Sequence, residues 1–191
     1  MLVPTFHTPR LILRELVESD AAAYEKYFVD YNVIRTLVSL VPWPYPKGGV
    51  LEYLKSQVLP NQGNDKWVWA VTLKENPDEL IGAVDLWREG NPENRGFWLG
   101  HKFWGKGYMT EAVEPIMDYA FDKLGFEKLV FTNAVGNPRS GRVKEKTGAK
   151  LVGRAPAQFV DPTLTEREIY ELRKDDWLKF KAIRELTPEE Q

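Results

Sequence analysis

Apolar positions along this chain switch between two periods, and the switches mark out its elements. Residues 95–99, RGFWL, make a short aromatic and apolar run of a length that suits a buried strand. A glycine turn follows at 102–107, KFWGKG. From Thr110 to Leu124 the apolar residues Ala112, Val113, Ile116, Ala120 and Leu124 recur at helical spacing. A glycine turn that opens a helix aims several backbone N–H groups at one place, and the helix dipole adds positive potential there. The arrangement suits a phosphate. Gly105 and Gly107 carry no Cβ, so the chain can approach a ligand and take positive φ.

The pattern on either side predicts a mixed fold. Residues 8–14, TPRLILR, put Leu11 and Leu13 on one strand face and Ile12 on the other. Ser19 reads as an N-cap, with Asp20 in the first turn of a helix that ends near Phe28. Residues 32–46 are irregular, because VPWPYP holds three prolines and is neither helix interior nor central strand. Trp43 and Tyr45 there either line a pocket or pack as core aromatics of a rigid linker. Residues 47–59 predict a second helix, with Val50, Leu51, Leu54 and Val58 as its stripe. Residues 67–73 and 79–87 read as a hairpin turning at 76–78, and 90–92 as a turn into the central strand.

Beyond the central helix come a strand at 128–134 and a helix at 138–147. That helix has Asn137 as N-cap, Pro138 at its first position and Gly148 after its end. Two strands, 150–159 and 165–172, are joined by a turn at 161–163. A helix at 175–183 and a frayed tail at 187–191 close the chain. Pro115 stands well inside the central helix and predicts a kink or an offset first turn, at a cost of about 3 kcal/mol. The element order is β-α-α-β-β-β-α-β-α-β-β. It predicts one α/β domain over residues 1–191, with a mainly antiparallel sheet, helices on both faces and a parallel βαβ unit at the centre.

Composition narrows the chemistry. A chain of 191 residues with 43% hydrophobic content can bury a sizeable core. A net charge of −2 argues against a nucleic-acid partner held by bulk charge. With no cysteine, disulfides, Cys-ligated metals and a cysteine acyl-enzyme are impossible, and two histidines, His7 and His101, do not make a His-rich metal site. The N-terminus is not a signal peptide and no stretch approaches a membrane span, so the expected location is the cytoplasm.

The glycine turn is neither a P-loop nor a Rossmann fingerprint, since GxxxxGK[ST] and the third glycine are both missing. It resembles the cofactor motif of the GNAT acetyltransferases, Gln/Arg-x-x-Gly-x-Gly/Ala. Here Lys102 stands first, which keeps the charge but loses the planar fork of arginine. The following GYMTEA resembles the branch of the RimJ/RimL N-terminal acetyltransferases, as does TPRLILRELVESDAAAYEKYF at the start. NPRSGRVKEKTGA resembles the second motif of the family, with Ala149 in place of the usual Phe.

The resemblance implies acetyl transfer from acetyl-CoA to a primary amine by direct attack, on a protein N-terminus, a small amine or an antibiotic. A non-catalytic acyl-CoA-binding module of the same fold is the alternative. Gly105, Lys106, Gly107, Tyr108, Met109 and Thr110 would hold the pyrophosphate. Phe97, Trp98, Leu99 and Gly100 would pair with the pantetheine arm where two strands splay, with the Leu99 N–H facing the thioester oxygen. The resemblance assigns Ser140 to the leaving sulfur and Asn137 to the pantetheine arm; alternatively Ser140 bonds its own backbone and Asn137 is a plain cap. Arg139, Arg142, Lys144 and Lys146 read as a solvated basic face, or as contacts to the 3′-phosphate. Candidate bases are Asp85, a carboxylate inside an apolar strand, and Glu166 and Glu168, which share a strand face with Tyr170. His101 reads as a polar contact, and Glu111 as a first-turn carboxylate facing the helix dipole. No metal, nucleic acid or membrane is expected, and the chain is expected to act as a monomer or homodimer.

Overall fold

A computed structural model describes residues 2–89 and 93–186. The turn expected at 90–92 and the tail at 187–191 lie outside the described residues. Among the described residues, eight strands form two sheets. In the first, β1 (Phe6–His7), β2 (Leu11–Glu15), β3 (Lys66–Leu73), β4 (Asn76–Trp87) and β5 (Arg95–Leu99) lie in chain order, every pair antiparallel. In the second, β8 (Glu166–Arg173) lies between β6 (Lys128–Ala134) and β7 (Lys150–Pro156), again antiparallel. The expected parallel ladder between β5 and β6 does not form. The two meet at Asn94, whose N–H donates to Val130 O at 2.9 Å and whose Oδ1 accepts from Val130 N at 3.2 Å. A side chain has taken a ladder position there. Beyond it the strands share no ladder, and an opening separates the two sheets.

The helices cover both faces. α1 (Ala21–Phe28) and α3 (Gly49–Tyr53) pack on one face, where Trp98 of β5 stands against Tyr24 and Phe28. α2 (Tyr31–Ile34) is a single turn. On the other face α4 (Tyr108–Asp122) buries Met109, Ala112, Val113, Ile116, Met117, Ala120 and Phe121. α5 (Pro138–Glu145) and α6 (Lys174–Leu186) complete the set. One cluster of buried apolar side chains runs from Val3 to Trp177. Among the described residues no helix is long and apolar enough to cross a membrane.

Several expected boundaries move, each for a local reason. Ser19 is not an N-cap. A 3₁₀ turn (Glu18–Asp20) capped by Val17 leads into α1, and the buried Asp20 carboxylate accepts from Val17 N and from both Nη atoms of Arg14. The hairpin turns at Lys74 and Glu75, because Leu73 pairs with Asn76; register shifts near Thr72 absorb the extra residues of β4, where Pro77 has no N–H for a ladder. The second helix is α-helical only over Gly49–Tyr53, then passes through a π-turn (Leu54–Val58) and a 3₁₀ turn (Leu59–Asn61) containing Pro60. β7 ends at Pro156, since residues 158–161 bond instead to the irregular 35–39 segment through Ser39 N→Gln158 O and Val160 N→Leu37 O. The short β1 has too few residues to show a period. α4 is helical throughout Tyr108–Asp122, with no first turn set apart at Pro115.

Candidate active site

The opening between β5 and β6 is edged by backbone donors. Trp87 N donates to Asn94 O and Gly100 N donates to Ile81 O, so the even-numbered residues of β5 bond to β4. Alternation in an antiparallel ladder then turns the N–H groups of Phe97 and Leu99 away from β4, into the opening. The Leu99 carbonyl is already taken, by the indole N–H of Trp104 at 2.7 Å. Trp98 points its side chain into the α1 face, and Gly100 is bonded to β4, so neither side chain nor N–H of these two enters the opening.

At the mouth of the opening lie the glycine turn and the start of α4. Gly105 and Gly107 take φ of +74° and +77°. A Cβ built on Gly105 would stand in open space, so backbone there is accessible to a ligand. Glu111 N makes the first helical bond, to Gly107 O, which leaves the N–H groups of Gly107, Tyr108, Met109 and Thr110 ahead of the ladder. These residues fit a bound pyrophosphate. Exposed Lys106 flanks the turn. Lys102 is exposed and turns its ammonium over the rings of Phe103 and Tyr27, at 5.0 and 5.4 Å. His101 is also exposed and lies against Trp104.

The turn is locked from behind by residues far away in sequence. Glu111 accepts from Thr8 Oγ1 at 2.6 Å, Arg10 N at 2.7 Å and Arg10 Nε at 2.7 Å. Arg10 also donates through Nη1 to Lys106 O at 2.8 Å and lies 4.5 Å from the centre of the Tyr108 ring. Burial pushes the Glu111 carboxyl up, but the hydrogen bonds from Thr8 and Arg10 outweigh it and hold the group below the usual range. Glu111 therefore does more than face a dipole: it ties the segment before β2 to the glycine turn.

α5 stands beside the opening. Asn137 occupies the N-cap position, but its side chain makes no capping bond, which removes the plain-cap reading. Arg139 lies 3.1 Å from the centre of the Trp104 ring and so joins α5 to the glycine turn. Arg142 and Lys146 are exposed, as a solvated face requires. Lys144 is not on that face. It is 2% exposed, with Nζ 5.1 Å from the centre of Phe97 and 5.8 Å from that of Tyr170, so it bridges the two sheets. Its Nζ donates to Ser140 Oγ at 2.7 Å, and Ser140 is thus bonded to a side chain one turn on, not to its own backbone. Burial, and then Arg95, push the Lys144 ammonium well below its usual range, against the pull of Glu93 and Glu168. Arg95 is itself 2% exposed, lies 3.6 Å from the centre of Phe131, and has no hydrogen-bond partner for Nε and Nη2 among the described residues.

The candidate bases separate by environment. Glu168 is fully engaged: Arg154 Nη2 at 3.1 Å, Asn133 Nδ2 at 3.1 Å and Tyr170 OH at 3.2 Å all donate to it. Burial first, and then Glu168, push the Tyr170 phenol up to about 12. Glu166 is exposed. Asp85 lies on the α1 face of β4, opposite Gly96, with Lys66 Nζ at 3.8 Å. Burial raises its carboxyl despite the pull of Lys66, and Asp85 in turn helps raise the phenols of Tyr24 and Tyr53. Tyr45 packs edge-on against Phe28 near this group, whereas Trp43 is 43% exposed against Tyr31.

The family model described as "Acetyltransferase (GNAT) domain" matches residues 10–150. The chain belongs to the GNAT acetyltransferases. It is 28% identical over 149 residues to a Bacillus subtilis (strain 168) protein described as the uncharacterized N-acetyltransferase YnaD, covering 76% of this chain and 82% of that one. Two solved structures share the fold. The ribosomal-protein-S5-alanine acetyltransferase of Vibrio fischeri superposes with a TM-score of 0.75 at 20% identity, over 91% of this chain and 98% of its own. RimL, a ribosomal L7/L12 α-N-protein acetyltransferase in complex with coenzyme A, does so with a TM-score of 0.74 at 18% identity, also over 91% and 98%. The enzyme is therefore an acetyl-CoA-dependent acetyltransferase, with acetylation of an amine as the general reaction of its family.

In this GNAT enzyme, sequence reasoning missed Thr8, Arg10, Trp104 and the inward turn of Lys144. The first two touch α4 across about a hundred residues, beyond any local pattern. In the structure Lys144 shares a helix face with Gly141, three residues before it, and a glycine on a helix face marks the side that packs closely. A Cβ at Gly141 would meet Tyr170 OH at 3.1 Å.

Proposed function

We propose that this acetyltransferase moves the acetyl group of acetyl-CoA onto the α-amine of a protein N-terminus, by direct attack with both substrates bound. One observation carries the reading. The N–H groups at the α4 start stand ahead of the helical ladder, the Leu99 N–H at the end of β5 faces away from β4, and α5 packs on both through Arg139 against Trp104 and Lys144 against Phe97, which supports the reading. The ribosomal acetyltransferases of the same fold support the acceptor class.

Acetyl-CoA, when bound, supplies an acetyl group activated as a thioester. The N–H groups of Gly107 to Thr110 hold its pyrophosphate, with Lys102, Lys106 and Lys146 as charged neighbours. The N–H groups of Phe97 and Leu99 align the pantetheine arm with β5, and Asn137 meets it from α5. Leu99 N–H donates to the thioester oxygen, where negative charge grows during attack. Ser140 donates to the sulfur. The acceptor enters from the α1 face, where Asp85 and the tyrosines Tyr24, Tyr45 and Tyr53 lie. An α-amine near pH 8 needs modest help to shed its proton at neutral pH, and Asp85 accepts that proton.

Two measurements test this. A panel of peptides with free N-termini, lysine-containing N-blocked peptides and small amines should show acetylation at α-amines by mass spectrometry; transfer confined to lysines or small amines would overturn the acceptor class. Asp85→Asn should lower kcat/KM by about a hundredfold at pH 7. The deficit should narrow above about pH 8, where the amine deprotonates unaided. A deficit of the same size at every pH would remove Asp85 as the base.

A further inference from the structure

Resting on the reading of Ser140 above, we infer that Lys144, acting through the Ser140 hydroxyl, delivers the proton that the departing thiolate takes up. The geometry is direct. Lys144 Nζ donates to Ser140 Oγ at 2.7 Å from a site 2% exposed. That bond occupies an oxygen lone pair and leaves the hydroxyl's own proton free to point elsewhere. Phe97, on β5, is the ring nearest Nζ, so the pair lies where α5 packs against β5.

A lysine retained for packing would carry its ammonium to water or to a carboxylate. Lys144 does neither. The groups facing it are Arg95 on β5, Glu93 just before that strand, and Glu168 and Tyr170 on β8. Glu168 is held by Arg154, Asn133 and Tyr170, and Glu93 accepts from Thr132 Oγ1. Among the described residues, Ser140 is the hydrogen-bond partner of Lys144.

The step balances. The amine nitrogen bonds to the acetyl carbon and gives up a proton on the Asp85 side. The carbon–sulfur bond breaks with its electron pair going to sulfur. The Ser140 proton moves to sulfur, and a Lys144 proton moves to Ser140 Oγ. Lys144 passes from ammonium to amine and is reprotonated from solvent after product leaves. Energetics favour this pairing. An ordinary lysine, near 10.4, holds its proton about two units more tightly than a thiol near 8.5. Burial and Arg95 lower Lys144 and reduce that mismatch. Arg95 is lowered by burial as well but stays cationic at neutral pH, and Tyr170 is raised out of range.

The test uses Lys144→Met, Ser140→Ala and the double variant. Methionine keeps most of the volume and removes a buried charge, so the fold should hold. Acetyl-CoA affinity, by calorimetry, should stay within about threefold. Lys144→Met should lower kcat by about a hundredfold, and the double variant should be no worse than the poorer single one, as for groups acting as a unit. The wild-type kcat should fall as pH rises through the Lys144 value, a limb the variant lacks. A readout independent of turnover is the ultraviolet thiolate absorbance of bound coenzyme A. Its thiol should ionise at least tenfold more readily on the wild type than on Lys144→Met. A variant with kcat within twofold of wild type, or a bound thiol that titrates identically on both proteins, overturns the role of Lys144. If Lys144→Met does not fold, the wild-type titration decides: a bound thiol that ionises no more readily than free coenzyme A overturns the role. Failure of the wild type to bind coenzyme A at all would strike the underlying site reading instead, and Ser140→Ala with full kcat would strike Ser140.

Discussion

Gly107 takes φ +77°, and a Cβ there would stand 3.4 Å from Arg10 Nη2. A side chain at this position is strained by its backbone, presses on the residue that holds Lys106 O, and would intrude where the proposed pyrophosphate site needs open N–H groups. Gly107→Val should raise the acetyl-CoA Kd at least tenfold, about 1.4 kcal/mol, measured by calorimetry on folded protein. Unchanged affinity would mean that the cofactor lies elsewhere. Such residues are legible in sequence because their chemistry is local: two glycines two apart before a helix describe a turn wherever they occur. The motif singles out Ser140. Lys144 was not legible, since a lysine among Arg139, Arg142 and Lys146 reads as one more solvated charge. What sets it apart is its place on the helix face that carries Gly141, under the phenol of Tyr170.

Elements were legible where period and punctuation agreed. β5 and β6 start and end where their apolar runs do, and α5 begins at Pro138 as its proline implies. Interactions between elements were not legible, and the bond set on Glu111 is the main case. It accepts three hydrogen bonds from the turn before β2: one from the Thr8 hydroxyl, one from the Arg10 backbone N–H and one from the Arg10 guanidinium. Glu111→Gln keeps the shape but loses the charge. Hydrogen bonds to charged groups are worth about 1.5–3 kcal/mol, so Tm should fall by about 3–12 °C at neutral pH for a chain of this size. The sign with pH follows from the lowered folded value. The stabilisation is fully present above the unfolded carboxyl value of about 4.3 and is lost as pH falls through the lower folded one. Wild type and variant should therefore converge at acid pH in thermal melts. A constant gap down to pH 2 would show that the charge contributes nothing.

The whole molecule is two sheets joined at one end of an opening. The join is local: Asn94 bonds to Val130 through both backbone and side chain, and donates through Nδ2 to Trp87 O and Arg88 O. The strand–helix–strand pattern by itself implies a closed parallel pair, and the splay was expected only from the family resemblance; one asparagine in place of a ladder residue holds the strands together at that end. It has a consequence for ligand binding. A pantetheine arm lying along Phe97 and Leu99 would contact β5 on the first sheet and, through Asn137 and Ser140, α5 beside the second. Coenzyme A should then brace the two halves against each other. At a hundred times Kd the linkage is about 2.7 kcal/mol, which corresponds to a rise in Tm of about 5–11 °C. Hydrogen exchange should distinguish bracing from binding at one end. Amides of β5, of the α4 start and of α5 should all exchange more slowly with coenzyme A bound, with the Leu99 N–H among the most protected. Protection confined to residues 105–110, with β5 and α5 unchanged, would mean that the ligand sits on the helix start alone and that the opening between the sheets is not its channel.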